Sequence, residues 1–490
     1  MRKKIGQALC LLISQLLFFL PAYSQSKTIN DLGAEVKRMM GEKEMKTATF
    51  GFCVYDLKAD KMLFSYNPNQ SMIVASILKL ATTSVALQVL GASFHFETHL
   101  EYDGKIENGI LKGNLYIKGG GDPTLGKDSM DKLMREWVEI IKKQGIKQID
   151  GAIVGDASIF EEHLAPDNWA WSDIGNYFGA GACGLSINDN FFELYFNSGK
   201  NEGDATQFLK HEPKIDELEF VNEVKTGAQG SLDEAYIFAA PYSYAPRYMK
   251  GTIPPNRANY IVKAAIPDPP LFCAKMLAKY LKINGIAISK EPITDRLLRL
   301  KKSPLNKNRK SFHKHLSAPL KEIVLLTNTK SVNIYAESML KMIGLHRKNK
   351  GTTEAGREAI IEFLEEKKID TNGLFMEDGS GLSHYNALTP EQLTQILKIA
   401  HQSLIFKDFY NSFAIAGKTG TARYLLGGTA AEGNMRAKSG SLTRVRSYAG
   451  YVNTKSNHLL AFVIIANNFV GESKDMKKRL EKILGILPEL

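Results

Sequence analysis

Apolar residues recur at helical spacing from Ile29 to Met40, which predicts an amphipathic helix. Thr47 to Tyr55 and Met62 to Tyr66 then read as strands, joined by the turn Lys58-Ala59-Asp60-Lys61. This hairpin leads into Val74-Ala75-Ser76-Ile77-Leu78-Lys79-Leu80, the mouth of an apolar helix that runs through Val85 and Leu87 to Gly91. A hairpin followed by a helix begins a sheet that the chain has to complete elsewhere.

The pattern changes from Phe94 to about Leu300. Leu111 to Ile117 reads as one strand, followed by Gly119-Gly120-Gly121-Asp122-Pro123-Thr124-Leu125. Glycines before Asp-Pro signal a turn, and no Gly-Lys-Ser/Thr follows to make a phosphate loop. Met130 to Gln144 is predicted helical and Gly151 to Val154 a strand. Trp169 and Trp171 beside Asp167 and Asp173 read as local packing rather than a ligand cage. Short β-like runs from Asn197 to about Ala265 suggest a nested subdomain, so the whole region has the look of an insertion.

Beyond it, Arg296 to His315 is basic without a single acid, which reads as a solvated surface connection, a binding patch being the alternative. Leu320 to Leu326, Thr353 to Lys367 and Gln392 to His401 are predicted helices, the last capped by Leu388-Thr389-Pro390-Glu391. Met435 to Leu442, Arg446 to Val452 and Leu459 to Ala466 form a strand meander, closed by an amphipathic helix from Ser473 to Leu487. The meander is the missing half of the sheet begun before Ser76.

Composition adds an exported setting. Met1-Arg2-Lys3-Lys4, an apolar run from Ile5 to Leu20 and small residues at Ala22 and Ser24 make residues 1–24 a secretory signal peptide, an uncleaved anchor being the alternative. Cys10 lies inside that run; Cys53, Cys183 and Cys273 remain, too few for a disulfide scaffold or metal site, although one pair could bridge. The formal net charge is +11, of which Arg2, Lys3 and Lys4 leave with the leader. A basic exported chain suits an anionic envelope polymer or membrane surface, and mere solubility explains it equally well.

Candidate chemistry starts at Ser76 and Lys79, three residues apart and so on one helical face. A serine hydroxyl needs a base, and lysine becomes one when burial or a second cation lowers its pKa. The spacing alone is unspecific, because Ser24/Lys27, Ser129/Lys132, Ser311/Lys314 and Ser338/Lys341 share it. Ser331 and Asn333, two apart at a helix entrance, either cap that helix or present a hydroxyl and an amide to a cleft.

Taken in order, Ser76-x-x-Lys79, Ser331-x-Asn333 and a Lys-Ser/Thr-Gly on a strand form the combination of the penicillin-recognising serine enzymes. The flanks narrow it: the insertion, Gly-Gly-Gly-Asp122-Pro-Thr-Leu, Asp378-Gly-Ser-Gly-Leu-Ser, and Arg436-Ala-Lys-Ser-Gly-Ser-Leu followed by Tyr448-Ala-Gly-Tyr451. Over nearly the whole mature chain the sequence resembles the class C low-molecular-mass penicillin-binding proteins, the D-alanyl-D-alanine carboxypeptidase/endopeptidases of penicillin-binding protein 4 type. Two decoys compete. Lys418-Thr419-Gly420 fits the last motif by letter but does not lead into the meander, as Lys438-Ser439-Gly440 does. Ser186-Ile187-Asn188 lies in the insertion and lacks the Tyr-Ala-Glu that follows Asn333.

The resemblance implies an α+β fold, a transpeptidase/β-lactamase-like domain of antiparallel sheet and helices formed by residues 25–92 and 300–490. Residues 93–299 would be inserted as one or two smaller α+β/β domains, with a nested unit at about 197–265. It implies Ser76, Lys79, Ser331, Asn333 and Lys438 as catalytic residues and Ser439, Gly440 and Ser441 as substrate contacts. The implied substrates are peptidoglycan stem peptides and cross-links, with β-lactam antibiotics as covalent ligands. No cofactor, metal or nucleic acid is expected; peripheral contact with membrane or wall and the oligomeric state stay open. A serine β-lactamase or esterase of the same fold, or a catalytically lapsed peptidoglycan-binding protein, are the competing readings. Asp122 and Asp378 are expected to be structural.

Overall fold

The computed structural model of the protein describes residues 27–303 and 305–490; the expected signal peptide lies outside them. Its largest sheet has six antiparallel strands: β1 (Thr49–Asp56), β2 (Lys61–Tyr66), β3 (Ala414–Ile415), β4 (Arg436–Leu442), β5 (Val445–Asn453) and β6 (Leu459–Asn467). Their order is β2-β1-β6-β5-β4-β3. The hairpin before Ser76 thus joins the C-terminal meander along β1 and β6, from Thr49 opposite Asn467 to Asp56 opposite Leu460.

Strand side chains alternate between faces, and this sheet is covered on both. Leu460, Phe462, Ile464 and Ala466 face a layer made by Leu32, Val36 and Met39 of the first helix, Ile29–Met40, with Leu480, Ile483 and Leu484 of the last helix, Ser473–Leu484. Ala461, Val463 and Ile465 face the opposite layer. That layer holds the helices Lys79–Leu90, Leu320–Lys330, Asn333–Lys348, Thr353–Glu366 and Pro390–His401. Burial on both faces explains why these strands are nearly continuous apolar runs. Thr389 caps the helix Pro390–His401 through a capping box with Gln392.

The region between the first helices and Leu320 has a core of its own, from Leu100 to Ile286. Leu111 to Ile117 is not one strand. It splits into Ile110–Lys112 and Leu115–Lys118, which belong to different sheets. The break falls at Gly113, where a Cβ would stand 2.3 Å from the Asp103 carbonyl oxygen.

The basic stretch is solvated over most of its length, with Lys301, Lys302, Lys307, Lys310 and Lys314 exposed, but it is more than a connection. Lys310–Leu316 is a strand paired antiparallel with Glu97–Tyr102. Arg309 ion-pairs with Asp156 at 2.8 Å and Glu101 at 3.3 Å, with its guanidinium 4.6 Å from the centre of the Tyr116 ring. A net-charge pattern cannot reveal that its acids come from other strands. Cys53, Cys183 and Cys273 are all buried and free. No described helix is long and apolar enough to cross a membrane.

Candidate active site

Ser76 does not sit on a regular helix. It lies on the short 3-10 turn Ala75–Leu78, which the α-helix Lys79–Leu90 continues. Ala75 just before it has φ +52°, a left-handed conformation that costs a residue with a Cβ and persists only where its surroundings impose it. Those surroundings approach closely. A Cβ on Gly381 would lie 2.1 Å from the Ala75 carbonyl oxygen, and one on Gly440 would lie 2.6 Å from that of Val74 and 3.1 Å from the Ser76 nitrogen. Ser447 on β5 donates its hydroxyl to the Val74 carbonyl at 2.7 Å. The serine is therefore clamped between β4, β5 and the Asp378–Ser383 loop.

Lys79 is fully buried. Its Nζ lies 3.0 Å from Ser76 Oγ, 2.6 Å from Asn333 Oδ1 and 2.6 Å from the Ser380 carbonyl oxygen. Burial pulls its pKa down to about 7, against the opposing pull of Asp378 and Glu337. A neutral amine has two hydrogens and one lone pair. The amide oxygen and the carbonyl can only accept, so they take the hydrogens and leave the lone pair for the one partner with a proton to give, Ser76.

Ser331 ends the helix Leu320–Lys330 in a left-handed conformation, φ +61°, and Asn333 opens the next helix. The pair is thus both a helix junction and part of the cleft. Ser331 Oγ accepts from Lys438 Nζ at 2.8 Å, and the same nitrogen donates to the Ser439 carbonyl at 2.8 Å. Burial, then repulsion from Lys79, holds the Lys438 pKa well below the usual lysine range. Lys438 points inward from β4, Ser439 is half-buried and Ser441 is exposed near the turn into β5.

Other groups at the site lie outside the three short motifs: Phe178 and Trp169 in the inserted region, and Asp378 and Glu337 in the Asp-Gly-Ser-Gly-Leu-Ser and Tyr-Ala-Glu runs. The Asn333 side-chain amide donates to the Phe178 carbonyl at 2.7 Å, a contact from the inserted region. Trp169, also inserted, donates its indole N–H to Asp378 Oδ2 at 2.8 Å. Asp378 further accepts from the backbone N–H of Ser380, Gly381 and Ser383 and from Asn386, which makes it the organiser of the loop that supplies the Ser380 carbonyl. Glu337, buried beneath, accepts from the Gly379 N–H, and burial raises its pKa. Backbone carbonyls leave no trace in the side-chain sequence. Trp169 could have been noticed only as an apolar residue with one donor to place.

The decoys separate. Lys418 is exposed and ion-paired with Glu432 at 2.5 Å, away from Ser76. Ser186 is completely buried and accepts from Asn190. Ser129 caps a helix through the Lys132 N–H, and Ser338 and Lys341 are buried, Lys341 being held by Glu161 and the carbonyls of His163 and Ala182.

The profile of the D-Ala-D-Ala carboxypeptidase 3 (S13) family matches residues 32–488. The chain belongs to that family. As a member of the S13 family it is a serine-peptidase hydrolase of the D-Ala-D-Ala carboxypeptidase class. It is 26% identical to the D-alanyl-D-alanine carboxypeptidase DacB of Haemophilus influenzae, over 89% of each chain. It is likewise 26% identical to a D-alanyl-D-alanine carboxypeptidase of Actinomadura, covering 90% of this chain and 82% of that one. The crystal structure of penicillin binding protein 4 (dacB) from H. influenzae superposes with a TM-score of 0.78 at 24% identity, covering 94% of this S13 chain and 98% of the other. The fold is thus that of penicillin-binding protein 4. Among the described residues no group of three or more His, Cys, Asp or Glu is placed to hold a metal ion.

Proposed function

We propose that this S13 enzyme cuts the D-Ala-D-Ala end of peptidoglycan stem peptides, and the D-Ala-diaminoacyl bond of cross-links, through an acyl-enzyme on Ser76. The observation that carries the reading is the buried Lys79, placed so that only Ser76 can use its lone pair. Lys79 takes the hydroxyl proton as Ser76 attacks the penultimate D-Ala carbonyl. Ser331, held by Lys438, relays a proton to the departing D-Ala amine, and Asn333 orients Lys79 and the substrate amide. Lys438 and the Ser439 hydroxyl attract the terminal carboxylate. The N–H groups of Ser76 and Ser441 stabilise the oxyanion, a placement that the close approach of Gly440 to the Ser76 nitrogen supports. Water then takes the place of the leaving amine and frees the serine.

The same attack on a β-lactam carbonyl gives a covalent adduct, since the leaving amine stays tethered. A relative of this fold, H. influenzae penicillin binding protein 4, has been crystallised with a β-lactam. We assign the protein to the cell envelope, where its substrate lies, in keeping with the signal-like residues 1–24. Intact-mass measurement after brief exposure to benzylpenicillin, with peptide mapping, tests the assignment. A stable adduct on Ser76 is expected. An adduct elsewhere, or a folded protein that leaves penicillin intact, overturns it, and rapid turnover of penicillin makes the protein a β-lactamase instead.

A further inference from the structure

A second polar site lies away from the cleft, in the inserted region. On the strand Arg247–Lys250 alternate residues point inward, and the two inward positions are Arg247 and Met249, at 1% and 0% exposure. An arginine therefore occupies a core position. Its Nη2 reaches only the Ser243 carbonyl, at 3.4 Å, while its Nε and Nη1 are buried with no partner. No ion pair joins Arg247 to any described carboxylate, and the nearby ionisable groups are Tyr244, across the turn, and His211. A guanidinium stays protonated even when buried, so its charge cannot be shed.

Arg247 lines a cavity of about 20 Å³. Arg247 is the single charged residue in its wall, which is otherwise Gly, Ala, Pro, Leu and Ile. That volume exceeds the roughly 10–15 Å³ one water-sized occupant needs, and is too small for a phosphate or a carboxylic metabolite. A buried cation, two unpartnered donor nitrogens and space for one small occupant are the elements of an anion site. We propose that Arg247 holds a halide-sized monovalent anion in this cavity.

The site matters because of what else lines it. Gly175 and Gly179 form part of the wall and flank Phe178, whose carbonyl accepts from Asn333 in the cleft. A bound anion ties the Arg247 strand to the segment that roofs the catalytic residues.

Bromide is the probe. Crystals of the full chain grown without chloride and soaked in sodium bromide are expected to show an anomalous peak beside Arg247 Nε and Nη1. A cavity with no bromide signal, empty or filled by water, overturns the proposal. In solution, sodium chloride is expected to raise the thermal midpoint saturably, by about 2 °C or more, relative to sodium gluconate at equal ionic strength. Arg247→Met is expected to lose that difference; a variant that keeps it refutes the site. Should Arg247→Met fail to fold, the bromide experiment on the unaltered chain decides alone.

Discussion

Asn333 joins the two halves of the molecule: its side-chain oxygen accepts from Lys79 at 2.6 Å while its amide donates to the Phe178 carbonyl at 2.7 Å. The inserted region thus fixes which way the amide faces, and the amide fixes where the lysine's hydrogens go. Reversing it would set an N–H₂ against the amine and a carbonyl against a carbonyl.

From this follows a pH dependence. Lys79 has its pKa lowered to about 7 by burial, so its neutral, basic form grows as pH rises through that value. The rate of penicillin acylation is expected to rise between about pH 5.5 and 8.5 with a midpoint near 7. A rate that is flat, or that falls over this range, excludes Lys79 as the base. The linkage to stability has the same sign: the unfolded chain binds the extra proton between the lowered and the ordinary lysine pKa, so this group favours folding more as pH rises through that window.

Asn333→Asp tests the amide. A carboxylate beside Lys79 favours the ammonium and moves the midpoint upward, and a tenfold tighter hold on the proton lowers the neutral fraction at pH 7 several-fold. Acylation at pH 7 is expected to fall by about fivefold and to recover partly at pH 9. An unchanged pH profile would show that Asn333 does not tune the lysine.

Lys438→Ala removes the partner of Ser331 and a buried amine that senses the charge of Lys79. Acylation is expected to drop by about 10²-fold or more, in line with losing an electrostatic contact made in the transition state. Lys418→Ala is expected to leave the rate within about twofold, because Lys418 meets only Glu432 on the surface. Stopped-flow acylation of both variants separates them, and the opposite ranking would transfer the role to Lys418.

How far the chain could be read beforehand follows from what each feature depends on. The unbroken apolar run from Leu459 to Ala466 and the cap at Thr389 are local, and the strand and helix appear where those signals lie. Ser76 and Lys79 are visible as a spacing, and their meeting needs only one turn of chain. The acids that receive Arg309 come from two other strands, so its burial is invisible to a count of charges along one segment. The same holds for the Phe178 and Ser380 carbonyls and for Arg247, whose inward direction is set by strand register.

Gly440 is a steric requirement on β4. A Cβ there would stand 2.3 Å from Ser447 Oγ, 2.6 Å from the Val74 carbonyl and 3.1 Å from the Ser76 nitrogen. Gly440→Ala therefore has to push the nucleophile's own backbone outward. A displacement near 1 Å costs on the order of 10²-fold in rate, so acylation should fall by about that factor while the circular dichroism stays native. Wild-type acylation would mean that Ser76 can shift freely, against the clamped geometry.

Asp378 is expected to be an organiser of its loop and not a participant in proton transfer. It is fully buried and accepts five hydrogen bonds, four from its own loop and one from Trp169. Asp378→Asn replaces one acceptor oxygen by a donor that faces other donors, which should cost at least about 2 kcal/mol and lower the thermal midpoint. Trp169→Phe removes one of the five donors and should cost about 1 kcal/mol. Because the loop carries the Ser380 carbonyl that holds Lys79, acylation should slow in both, in the order of their destabilisation. An Asp378→Asn protein as stable as the parent yet unable to acylate would instead place the carboxylate in the chemistry.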